Sequence, residues 1–156
     1  MKLWAALYGM IWVVLLEFLL GMWPSPPVYV PYLHALLGLV IVGIAYVNRA
    51  GLLATRVPGR VKRVAGVTLA LALFMVFLGL LLWFNVGASW VVLGFSVYQF
   101  ILVVHVVNAL AIITQGAAVA IAYDMWEEHE FEEETKPGEV PLRPSPVSPG
   151  TRSGRD

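Results

Sequence analysis

The chain has 156 residues, no cysteine, 60% hydrophobic and 13% charged residues, and ten basic side chains balanced by ten acidic ones. Soluble domains carry about 25% charged residues, so this composition does not fit an ordinary soluble globule. Nor does it fit a nucleic-acid binder, which needs a basic face, or a disulfide scaffold, thiolate metal site or covalent c-type haem, which need cysteine. The charges are also segregated: Glu17 stands alone between Leu3 and Asn48, and no charge occurs between Val64 and Tyr123. These limits describe one small, all-α integral membrane protein.

A helix crosses the roughly 30 Å hydrocarbon core with about 20 mostly apolar residues. Four stretches meet that requirement and predict a four-helix bundle, with spans at about 3–23, 31–48, 64–84 and 97–123. The first is too long for a signal-peptide core, and Trp23-Pro24-Ser25-Pro26-Pro27 is a poor cleavage site, so it reads as a retained span. Between spans two and three lie Arg49, Arg56, Arg60, Lys62 and Arg63, whereas the Pro24–Val30 and Asn85–Phe95 loops carry no charge. Basic short loops stay in the cytoplasm. That rule, with Lys2, puts both termini inside a cell membrane and places Trp23, Tyr29, Tyr32, Trp83, Trp90 and Tyr98 at the outer interface.

After Tyr123 the chain turns acidic. Residues 124–135 hold seven carboxylates interspersed with Trp126, His129 and Phe131, and are expected to extend the fourth helix into the cytoplasm. The run reads as a solvated helix end, with contact to the basic loop or to a partner subunit as the alternative, and His129 reads as a surface histidine. Residues 136–156 contain five prolines and read as a disordered tail.

Three ionisable residues remain inside the spans: Glu17, His34 and His105. Each costs about 2.5–3.5 kcal/mol to insert. Counting about 1.5 Å per residue from the span ends puts all three at a similar depth, roughly 5–12 Å from the outer surface. Helical spacing sets His34 on a face with Gly38, Ile41, Ala45 and Asn48. It sets His105 with Asn108, Ala109, Ile112, Gly116 and Val119, and Glu17 with Val13 and Gly21. Small residues three or four positions from a polar one allow close helix approach or leave room for a flat ligand.

Two histidines facing each other across a bundle suit axial ligation of one b-type haem, with His34 and His105 on the iron and Gly38 and Asn108 beside the porphyrin. One histidine pair limits the chain to one haem. Two other readings stay open. The histidines could hydrogen-bond to Glu17 and lock the bundle, or the three groups could form a minimal metal site, for which zinc asks three or four ligands. Glu17 itself could lock the bundle, pair with a ligand histidine, or accept a proton from a quinol or a substrate. Gln99, Asn108, Thr114, Gln115 and Asn48 are expected mainly as contacts between helices.

The segments Pro31-Tyr-Leu-His34-Ala-Leu-Leu-Gly38 and His105-Val-Val-Asn-Ala109, with the basic inner loop between spans two and three, resemble one four-helix half of the haem A synthases. In that family each half supplies a facing histidine pair from its second and fourth helices. The resemblance covers about residues 3–123, and compact single-half forms belong to the family. Four-helix membrane b cytochromes are similar more loosely, but usually carry two haems. The catalytic half of the synthases has Glu-x-x-His at the start of its second helix. Pro31 stands at that position here, and no arginine motif follows the first span. The resemblance therefore implies the cofactor-holding half.

The sequence thus leads to a membrane haem-b protein that either passes electrons in a respiratory membrane or oxidises haem O to haem A. Expected partners are the lipid bilayer and a quinol, haem O or a respiratory oxidase subunit, with a homodimer as one arrangement and no nucleic acid. The synthase version needs Glu17 as a catalytic carboxylate and a second haem site. The competing classes are a small proton-coupled transporter built on Glu17 and a non-catalytic subunit of a respiratory complex docking through 124–135.

Overall fold

The structure, a computed structural model, describes residues 3–134, without the side chains of 132–134. Lys2, Thr135 and the proline-rich 136–156 segment lie outside the described residues. Four helices dominate: α1 (Leu3–Gly21), α2 (Val30–Ala54), α3 (Gly59–Trp83) and α4 (Val97–Glu134). All four are long and apolar enough to span a membrane, which makes this a multi-pass membrane protein. The main packing pairs are α1–α2, α2–α3, α3–α4 and α4–α1. The helices therefore form a square bundle in which α2 and α4 face each other along a diagonal. The upper end carries the α1–α2 and α3–α4 connections. The lower end carries the α2–α3 connection and the chain ends.

Helix α1 ends at Gly21, short of the expected Trp23, whereas the next two spans are longer than expected. Helices α2 and α3 have 25 residues each, about 37 Å at 1.5 Å per residue. The connection between them shrinks from the expected 49–63 segment to Thr55–Pro58, so Arg49, Arg60, Lys62 and Arg63 lie on helix ends and only Arg56 is in the loop. Helix α2 continues past its first charge, and the Arg49 side chain lies along α3 at van der Waals distance from Gly66. The end of α2 is closed by Thr55, whose hydroxyl donates to Leu52 O at 2.8 Å, and by Lys62, whose ammonium donates to Thr55 O at 2.7 Å. A cation there also meets the negative end of the helix dipole. Pro58 then starts α3 with a fixed φ.

Helix α4 runs 38 residues without a break and carries the acidic run beyond Tyr123, with His129 exposed on it. Its start is a reciprocal cap, in which Ser96 N donates to Gln99 Oε1 at 2.9 Å and Gln99 N donates to Ser96 Oγ at 3.2 Å. Gln99, expected as a contact between helices, is thus part of a capping box. Just before it, Val91–Val92 and Phe95–Ser96 pair as a minimal antiparallel hairpin that the sequence reading treats as plain loop. Its two-residue turn, Leu93–Gly94, has positive φ at both positions, the geometry that a tight hairpin turn requires. Gly87 holds the loop against α4: its φ is 75°, and a Cβ there would lie 2.7 Å from Val97 Cβ.

Two buried clusters fill the lower and middle bundle. The lower one includes Leu7, Leu52, Val61, Val119, Ala120 and Tyr123, and the middle one Met10, Val14, Ile41, Ala45, Ala72 and Ile112. Lipid offers helices no hydrophobic drive to associate, so close backbone approach at small residues and polar contacts between helices must hold them. Accordingly Ala6, Ala45, Ala65, Ala72, Ala109 and Ala120 are buried, while Trp12, Leu19, Phe77 and Val103 face outward. Asn48 Nδ2 donates to Ala6 O at 3.3 Å, tying α2 to α1, and the Tyr8 hydroxyl donates to the Asp124 carboxylate, tying α1 to α4.

Candidate functional site

Above the middle cluster the helices part around a cavity of about 540 Å³ walled by all four of them. Its floor is Val14, Ile41, Ala72 and Ile112, the first three 5% exposed or less and Ile112 only 1%. The carboxylate and imidazole side chains on its wall are Glu17, His34 and His105. The three residues that the sequence sets at one depth from three different helices therefore meet in one place. Five of the six expected interface aromatics (Trp23, Tyr29, Tyr32, Trp83 and Trp90) are exposed at this upper end, and Tyr98 is half-buried there. Tyr32 and Trp83 meet edge to face, with ring centres 5.3 Å apart.

His34 from α2 and His105 from α4 face each other along the diagonal, with ring centres 6.1 Å apart and planes inclined by 49°. Glu17 Oε1 approaches His34 Nδ1 to 3.1 Å, out of line with the ring N–H. Glu17 Oε2 and His105 Nδ1 are buried with no hydrogen-bond partner. Buried polar atoms are nearly always paired, and leaving one unpaired costs about 1–3 kcal/mol. The residues carrying these atoms line the cavity, while the unpaired atoms themselves are enclosed by protein.

Glycines shape the trio. A Cβ on Gly21 would come within 3.1 Å of His34 Cε1, one on Gly38 within 3.6 Å of Glu17 Oε1, and one on Gly79 within 3.6 Å of His105 Cε1. Gly38, expected against a porphyrin, makes room for the Glu17 carboxylate while lining the cavity. Gly21, which the sequence aligns with Glu17, instead touches His34. Gly79 and its α3 neighbours Ala72, Met75, Val76, Leu80 and Leu82 join the wall without having been singled out in the sequence. The available signal was a lone glycine inside the bulky run Phe77-Leu78-Gly79-Leu80-Leu81-Leu82.

Asn108 lies apart from the site. It is absent from the cavity wall, 5% exposed, and its amide donates to Leu71 O at 2.9 Å, so it joins α4 to α3. Thr114 bonds back to Leu110 O on its own helix. His129, exposed on the lower part of α4, contributes nothing to the cavity.

The donor set can be tested for fit. Imidazole nitrogen binds a first-row metal at about 2.0–2.1 Å. With about 1.1 Å more from nitrogen to ring centre, a metal between two facing rings sets their centres about 6.3 Å apart. The observed 6.1 Å is compatible with that spacing and is equally an ordinary distance for two packed rings. An apolar cavity with a few convergent polar groups is the usual form of a cofactor site. For a bare metal ion the fit is poor: among the described residues no group of three His, Cys, Asp or Glu side chains is arranged to hold one. Comparison with protein-family models, with curated proteins and with solved structures found no match to this chain.

Proposed function

We propose that this chain is a haem-b-binding protein of the cell membrane, with both termini cytoplasmic, that carries single electrons in a respiratory chain. The observation that carries the reading is the His34–His105 pair, two imidazoles 6.1 Å apart across a roomy apolar cavity. A haem iron held by two imidazoles offers a one-electron ferric/ferrous couple and no open coordination position. The chain's own groups serve that use. Glu17 sits 3.1 Å from His34 Nδ1, close enough for its carboxylate to influence the charge on that ring. Gly21, Gly38 and Gly79 keep the space beside Glu17 and the two rings clear. The apolar wall excludes water, and its closed floor of Val14, Ile41, Ala72 and Ile112 suits a cofactor site better than a transport passage.

A second reading, oxidation of haem O to haem A, draws on the Glu17 carboxylate in the same cavity and needs a substrate site supplied by another copy of the chain. Protein purified in detergent and reduced with dithionite is expected to show the sharp α-band of low-spin b haem at one haem per chain. A folded but colourless protein overturns the proposal. Conversion of added haem O by the haem-loaded protein selects the second reading.

A further inference from the structure

The cavity wall is unevenly sealed. On α2, Tyr32, Ala35 and Leu39 line the cavity and are also exposed to the outside of the bundle. On α3, Leu80 and Trp83 do the same. Positions 32, 35 and 39 form one stripe at helical spacing, as do 76, 80 and 83, and the Tyr32–Trp83 contact joins the two at the top. Gly21 and Met22 at the top of α1 and Leu102 on α4 also line the cavity and are exposed, but the longest run of exposed lining residues follows the α2–α3 seam. Ala35 is the smallest side chain along it. No lysine or arginine lines the cavity, so an anionic ligand arriving through water meets no attracting charge. A flat molecule with a large apolar face that is already in the bilayer, its carboxylates held at the interface, needs none.

We propose that the upper α2–α3 seam is a lateral doorway through which haem passes from the lipid phase to His34 and His105. This rests on the haem reading above. Haem is the occupant to which the seam commits because the far wall ends in the two facing imidazoles.

The test compares neighbouring residues. Ala35→Trp plugs the seam, whereas Leu36→Trp adds a comparable indole at an exposed position outside the cavity wall. Haem-free full-length protein in phosphatidylcholine vesicles is mixed with vesicles preloaded with haem b, and the growth of the Soret band is followed. Ala35→Trp, and likewise Leu39→Trp, is expected to slow capture by about tenfold or more. Leu36→Trp is expected to follow the unaltered chain. Capture by Ala35→Trp and Leu39→Trp at the unaltered rate overturns the doorway.

A second arm needs no haem. The chain has no cysteine, so Ala72→Cys puts a single thiol on the cavity floor. A lipid-soluble maleimide is expected to label it, and adding Ala35→Trp is expected to slow that labelling. Equal labelling rates overturn the doorway. If no variant takes up haem, the functional reading falls, and the labelling rates decide the doorway alone.

Discussion

The upper and lower halves of this bundle are built from the same four helices and close to different degrees. Below the Val14–Ile41–Ala72–Ile112 layer the helices close on alanines. There the Asn48 amide nitrogen donates to Ala6 O, although its Oδ1 is left without a partner, and Thr68, 4% exposed, donates to Val64 O at 3.0 Å. Above that layer the wall opens, and Glu17 Oε2 and His105 Nδ1 are left without partners. In lipid an unpaired polar atom has no water to turn to. The upper half gives up packing around a cavity of about 540 Å³, and the proposed function rests on that difference.

The contrast can be broken or sharpened by substitution. The largest effect belongs to His34→Ala and His105→Ala, each expected to abolish the low-spin haem spectrum while helicity by circular dichroism persists. His129→Ala should change neither. Next is Gly79→Leu: the Cβ alone would lie 3.6 Å from His105, so the branched side chain enters the cavity. Haem affinity, measured by titration, is expected to fall by about 100-fold or more, close to 3 kcal/mol. Asn108→Leu probes the boundary between the halves. It removes one bond between helices, worth about 0.6–1.7 kcal/mol in membranes, and should lower stability in a denaturation titration without moving the spectrum. A changed spectrum would return Asn108 to the site. The smallest effect is expected from Glu17→Gln, which should keep haem but raise its midpoint potential in a redox titration, because a carboxylate beside the ligand ring favours the ferric state.

The sequence carried much of this because membranes simplify the problem. Charge-free runs announced the four spans, and the scarcity of ionisable residues in them drew attention to Glu17, His34 and His105. What it could not carry were rotations and neighbours. Asn108 is three residues from His105, which on a helix is a rotation of about 60°, enough to turn it from the cavity to the α3 backbone. Arg49 looked like the end of a span, but α2 runs on to Ala54, with the Arg49 side chain lying along a different helix at Gly66. Gly79 gains its meaning only from His105, 26 positions later in the chain. The Ser96–Gln99 capping box was present in local sequence, and its reciprocal spacing was the missed cue.

Electron paramagnetic resonance of the oxidised, purified protein tests the central claim most directly, because it reports how many strong ligands the iron has. The account predicts a purely low-spin ferric signal that becomes high-spin or disappears in His105→Ala. A high-spin signal in the unaltered protein, or the absence of haem iron, would contradict it.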